Sequence, residues 1–164
     1  MKALTVFYSR TGTTRKIAGS ISKALSCDIE EIFDTKNRAG PLGFITAGRD
    51  ASEKKLTVIQ DTKMDPNMYD IVVIGTPVWA GTMSAAIRTY ISQNKERFKR
   101  VAFFCTCGGT SAGKTIEAMK DLCGKEVVTS LTITKKDMES KEYQKKIDEF
   151  VATIKEWSSK TQLF

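Results

Sequence analysis

The chain has 164 residues, 41% hydrophobic and 27% charged, which suits a single domain over 1–164 with a buried core and argues against disorder. Histidine is absent, so Ser-His-Asp and Cys-His catalysis, His-bearing zinc sites and histidine acid–base steps are excluded. A net charge of +7 points to nucleic acid, an acidic partner or an acidic lipid surface without choosing among them.

No run of about 18 apolar residues occurs, so no membrane span is expected. Met1-Lys2-Ala3 leads straight into an apolar run without a small-residue cleavage site, so no secretory signal is expected either. Cys27, Cys105, Cys107 and Cys123 form no CxxC pair and no four-ligand zinc set. They read as small buried hydrophobes of a reducing cytoplasm, and no metal is expected.

Ala3 to Tyr8 is a short apolar run of strand type. Ile17, Ile21, Ala24 and Leu25 recur at helical spacing. Asp28 to Phe33 alternates apolar and acidic residues, as a less buried strand does. The link from Asp34 to Tyr69 is the least legible part. Its glycines and Pro41 suggest a turn, then a short helix near Leu42–Ala51, with Leu56–Ile59 extended. Ile71 to Gly75 is continuous and β-branched, as in a central parallel strand. Met83, Ala86, Ile87, Tyr90 and Ile91 make a helix face. Val101 to Cys105 is another buried strand, Ile116 to Cys123 another helix, and Val127 to Ile133 a fifth strand. Tyr143, Ile147, Phe150, Val151, Ile154 and Trp157 trace a long amphipathic helix. This alternation predicts a three-layer α/β protein: a doubly wound sheet of five parallel strands with helices on both faces.

In such a sheet ligands sit beyond the carboxyl ends of the strands, and three loops there carry unusual residues. Ser9-Arg10-Thr11-Gly12-Thr13-Thr14 offers hydroxyls, a permissive glycine and backbone N–H groups at a helix N-terminus, an anion site with phosphate as its natural occupant. The bland alternative is a simple helix cap. Thr76-Pro77-Val78-Trp79-Ala80-Gly81 brings a Trp suited to stacking on a flat ring, against the alternative of a lid on the core. Thr106-Cys107-Gly108-Gly109 allows close backbone approach to a heterocycle edge.

Together these loops resemble the flavodoxin family over essentially the whole chain. Ser-x-Thr-Gly-x-Thr at Ser9–Thr14 is the most specific part, supported by Tyr69–Gly81 and by Gly40–Ala51. The resemblance implies strand order 2-1-3-4-5 and non-covalently bound FMN. It implies phosphate contacts from Ser9, Thr11, Thr13 and Thr14, stacking from Trp79, and a ring edge bordered by Cys107, Gly108 and Gly109. It implies an electron carrier working between redox proteins, with no catalytic side chain. The alternatives are an FMN-dependent NAD(P)H oxidoreductase acting on a quinone or similar acceptor, and a flavodoxin-like domain that has lost FMN. Many flavodoxins carry a Tyr in the third loop, and this chain has none there, which would leave one flavin face open. Many are acidic, and this chain is basic, so an acidic protein partner and a less negative potential are expected. A monomer or small homo-oligomer is expected.

Gly108 to Thr115 also fits G-x-x-x-x-G-K-[ST] between a strand and a helix. The only later strand ends without an Asp for a magnesium site, and too few residues follow for an ordinary P-loop domain. The lysines at 135, 136, 141, 145 and 146 flank an amphipathic helix and read as a solvated face. They lack an aromatic platform, so nucleic acid is not expected as a partner.

Overall fold

The computed structural model describes residues 1–161, so the last three residues of the expected domain lie outside the described ones. Five strands form the main sheet: β1 (Ala3–Phe7), β2 (Asp28–Glu31), β3 (Ile71–Trp79), β5 (Val101–Cys107) and β6 (Val127–Thr134). A sixth, β4 (Thr82–Met83), pairs antiparallel with the end of β3. The order is β2-β1-β3-β5-β6, with every main pairing parallel. Setting β4 aside, this is the 2-1-3-4-5 order and the doubly wound α/β class expected from the sequence.

Alternation along the strands sorts their side chains to two faces. Leu4, Val6, Val72, Ile74, Phe103 and Cys105 join a core with Ala86, Ile87, Tyr90, Ile116 and Met119. These come from α3 (Ala85–Asn94) and α4 (Ala112–Cys123). Ala3, Phe7, Ile71, Val73, Ala102 and Phe104 face Ile17, Ile21, Ile147, Phe150 and Ile154. Those belong to α1 (Thr13–Leu25) and α6 (Tyr143–Thr161). Gly75 sits in mid-strand because the Phe104 ring occupies its side-chain space: a Cβ there would lie 1.9 Å from Phe104 Cζ.

Four details differ from the sequence reading. The third strand does not stop at Gly75 but runs to Trp79, because Val78 and Trp79 find new partners in Met83 and Thr82. The bend then shrinks to Ala80-Gly81, with φ of 47° and 76°, a two-residue turn of the left-handed kind that hairpins favour. The second strand ends at Glu31, short of the expected Phe33. The charged stretch after β6 holds a separate helix, α5 (Lys135–Ser140).

The link becomes legible in three dimensions. A helix, α2 (Gly40–Ser52), stands where a helix near Leu42–Ala51 is predicted. Asp34 and Ile59 form an antiparallel bridge beside it. Buried Arg38 ties these pieces together, with Nε 3.0 Å from Asp34 Oδ2 and Nη1 2.7 Å from Asp50 Oδ2. Asp34 also accepts from the Thr57 hydroxyl at 2.7 Å, and Asp50 from Lys36 Nζ at 3.1 Å. Gly43 is required here, since a Cβ would lie 2.2 Å from the Arg38 carbonyl carbon.

Candidate functional site

The first loop leaves β1 and enters α1 through Gly12, whose φ of 99° suits glycine far better than any other residue. The Ser9 hydroxyl accepts the Gly12 N–H at 3.0 Å and closes the turn. No side chain caps α1. Its first backbone bond is Lys16 N–H to Gly12 C=O at 3.0 Å. The N–H groups of Thr13, Thr14 and Arg15 therefore have no partner among the described residues. That outcome decides against a simple cap: the hydroxyls present do not satisfy the helix end. No acidic residue stands in the first turn. The nearby Glu31 carboxylate is held by Arg15 at 2.6 and 2.9 Å. The Thr14 side chain is buried, and its hydroxyl meets the Thr106 hydroxyl at 2.8 Å, fastening the first loop to the third.

In the second loop, Trp79 is only 8% exposed and packs into the core. Its ring meets Tyr8 edge to face, with centroids 5.3 Å apart and planes at 87°. Trp79 is thus a core residue that also lines the cavity described below. Burial pushes the Tyr8 phenol up to about 12, so this ring pair is neutral across the ordinary pH range. Thr76 is fully buried. It donates to Pro77 C=O at 2.9 Å and accepts the Ser84 N–H at 3.0 Å, anchoring the start of α3.

In the third loop, Cys107 is half-buried and its thiol donates to Gly109 C=O at 3.1 Å. Cys105 is fully buried, and burial pushes its thiol up to about 11. It is an inert neighbour rather than half of a redox pair. The P-loop-like stretch fares poorly. Thr115, which would face a metal in that pattern, is buried with its hydroxyl on Ser111 C=O at 3.2 Å. Lys114 is exposed.

The three loops meet around a cavity of about 390 Å³ beyond the carboxyl ends of β1, β3, β5 and β6, a volume within the range of small-molecule sites. Ten predicted residues line it: Arg10, Thr11, Thr13, Thr14, Pro77, Val78, Trp79, Thr106, Cys107 and Gly108. Ser9, Gly12, Thr76, Ala80, Gly81 and Gly109 do not; they shape turns and anchors around it. Sequence reasoning missed five lining residues, Phe44, Ile133, Thr134, Lys135 and Met138. The signal for the last four was available: Ile133 and Thr134 end the last strand and Lys135 and Met138 follow it, where the same rule places ligands. Among the described residues, Arg10 and Lys135 are the charged ones on the wall, and no carboxylate joins them.

The α5 side of the cavity is held by one carboxylate. Asp137 is 6% exposed and accepts from the Thr134 N–H at 2.7 Å and the Thr134 hydroxyl at 2.8 Å, while Lys146 Nζ sits 2.8 Å away. In return, Asp137 N–H donates to the Thr134 hydroxyl at 3.1 Å, completing a capping box. Burial alone would raise its pKa. Lys146 and Thr134 outweigh burial and hold it at about 2.

A family model described as Flavodoxin matches residues 2–154. The chain belongs to the flavodoxin family. Among solved structures, it is similar to a flavoprotein in complex with FMN from Lactobacillus acidophilus NCFM, at 26% identity. That match covers 87% of this chain and 97% of the other, with a TM-score of 0.72. A flavodoxin from Fusobacterium nucleatum bound to flavin mononucleotide is 17% identical, with 95% and 98% covered and a TM-score of 0.61. An oxidised Flavodoxin 2 from Bacillus cereus is 20% identical, with 95% and 99% covered and a TM-score of 0.58. The last two likenesses concern the fold. No curated protein matches the chain. Within this family, the three-loop cavity stands at the position the strand order prescribes. No helix among the described residues is long and apolar enough to cross a membrane, and none of their Cys, Asp and Glu side chains cluster as a metal site would.

Proposed function

We propose that this flavodoxin-family chain binds FMN in the three-loop cavity and carries electrons between redox proteins. The observation that carries the reading is the open helix end: three unpartnered N–H groups at Thr13, Thr14 and Arg15, with no carboxylate facing them. Such an end suits a phosphate dianion, through both the free donors and the helix dipole. The rest of the wall fits the remainder of FMN. Hydroxyls of Thr11 and Thr13 adjoin the phosphate end, and Trp79, Pro77 and Val78 form an apolar side for a flat ring. Cys107 and Gly108 also line the cavity, and no Tyr or Trp stands in their loop.

FMN supplies one- and two-electron transfer when bound. The chain's own residues bind, orient and shield. Thr13 to Arg15 fix the phosphate through backbone N–H groups. The Thr14–Thr106 bond keeps the first and third loops at a set separation. Trp79, backed by Tyr8, presents a wall that packing prevents from turning. Arg10 and Lys135 place positive charge on the wall, which favours added electrons and makes the potential less negative than acidic surroundings would. No residue is assigned as acid, base or nucleophile.

A second reading, an FMN-dependent NAD(P)H oxidoreductase for a quinone or similar acceptor, draws on the third loop, which has no Tyr to cover a flavin face. Two measurements test these readings. Yellow absorbance on purification, or FMN uptake by the apoprotein, is expected; failure of both overturns the proposal. Added NADH or NADPH with a quinone should give no turnover from a carrier, and steady turnover would favour the second reading.

A further inference from the structure

The outer side of α2 carries apolar side chains that the core does not use. Gly43, Ala47, Asp50 and Ala51 face inward. Leu42 and Ile45 are 80% and 64% exposed and share a stripe at i, i+3, which exposed Arg49 extends at i+4. Phe44, on the neighbouring stripe, is 61% exposed and also lines the cofactor cavity. Arg10 lies over its ring, 5.1 Å from the centroid. Single exposed apolar residues need no explanation, but three within four residues, one of them on the cavity wall, do.

The carboxylates around them are already engaged: Glu31 by Arg15, Asp34 by Arg38 and Glu53 by Lys55. Arg10 and Arg49 take part in no ion pair among the described residues. The one carboxylate in α2, Asp50, is buried and engaged by Arg38 and Lys36. The face is therefore apolar and cationic, without a free carboxylate. A second copy fits it poorly: a two-fold contact would press the patch onto itself and bring its cations, Arg10 and Arg49, to the same patch as the other copy's cations. A lipid surface fits less well than a protein. Leu42 and Ile45 make a stripe shorter than surface-bound helices present, and lipid would cover the mouth through which electrons must pass.

We propose that this face, Leu42, Ile45 and Arg49 with Arg10 and Phe44 at the cavity rim, docks an acidic redox protein whose contact patch has an apolar centre ringed by carboxylates. This rests on the proposed FMN carrier function.

The test uses the full chain loaded with FMN, and reduced acidic [2Fe–2S] ferredoxin as the probe in a stopped-flow spectrometer. Each ferredoxin gives up one electron, and two reduce one FMN, with protons drawn from solvent. The second-order rate constant should fall steeply with salt. Arg49→Glu should lower it roughly tenfold and the pair Leu42→Ser, Ile45→Ser several-fold, while FMN affinity stays unchanged. Lys155→Glu on the far helix α6 should change it less than about twofold. Rates indifferent to salt and to the α2 variants, with FMN bound, overturn the docking face and leave the carrier reading standing. Failure to take up FMN, seen before any probe is added, is instead a failure of the proposed function. Sedimentation showing a dimer that the Leu42/Ile45 variant dissolves overturns the proposal in favour of a second copy. Co-sedimentation with phosphatidylserine vesicles, lost in Arg49→Glu, overturns it in favour of a membrane.

Discussion

Replacing Asp137 with Asn tests how the α5 wall of the cavity is held. The ionised carboxylate accepts from the Thr134 N–H and hydroxyl and faces Lys146, and its pKa falls from an ordinary 3.8 to about 2. That gap corresponds to about 2 kcal/mol of folding stability. The sign follows from the depressed pKa. The contribution is complete well above pH 3.8 and is lost as pH falls toward 2, with about half gone near pH 3. The amide of the Asp137→Asn variant carries no charge at any pH. Urea unfolding of both proteins between pH 2.5 and 7 should therefore give a stability difference of about 2 kcal/mol near neutrality that closes steadily as the solution is acidified. The perturbation also loosens the capping box that positions Thr134, Lys135 and Met138, so FMN should bind several-fold more weakly to the variant at pH 7. A stability difference constant across the pH range would refute the reasoning, because Asp137 would then act through shape rather than charge.

Four further changes probe the site and its support. Trp79→Phe keeps an apolar ring against Tyr8 while losing contact area, and should weaken FMN roughly three- to tenfold and brighten residual flavin fluorescence; unchanged affinity in a fluorescence titration would make Trp79 purely structural. Thr11→Val removes a hydroxyl from the part of the cavity proposed to hold the phosphate, so FMN affinity should drop roughly tenfold or more while riboflavin affinity holds; equal losses would contradict the loop assignment. Lys135→Glu should make the potential of bound FMN more negative in a spectroscopic redox titration, and by more than Lys155→Glu on the distant α6. Gly75→Ala forces a methyl into the Phe104 ring and should cost about 1–3 kcal/mol in denaturant unfolding; a neutral result would mean that ring moves freely.

The order of strands and the three loops were legible in the sequence because each obeys a local rule. Continuous β-branched runs marked the buried parallel strands, and Gly12 beside four hydroxyls marked a helix entry built for an anion. What escaped was non-local. The left-handed turn at Ala80-Gly81 exists because Trp79 pairs with Thr82, which no propensity of Ala predicts. The 34–69 link is organised by Arg38, which reaches Asp34 four residues back and Asp50 twelve residues on. A buried guanidinium with two carboxylates reads in sequence as ordinary surface charge. Lys135 escaped for another reason: its place after the last strand was a usable signal, but it stood among five lysines that looked alike. Only the path of β6 into α5 separates the one on the cavity wall from the others.

That separation changes what the net charge of +7 means. A uniformly spread excess would act on an approaching partner only through a weak, screened field. Here Arg10 belongs both to the cavity wall and to the α2 face, over Phe44, which itself belongs to both. One cation can then serve two tasks: holding negative charge inside the cavity and drawing a negative surface to its mouth. The two tasks separate by distance and by salt. The potential of bound FMN, set at short range inside a partly dry site, should respond little to ionic strength, whereas docking across solvent should respond strongly. On the proposed reading, a basic flavodoxin built this way would combine a milder potential with a preference for acidic partners, and Arg10 is the residue at which those two properties would be joined.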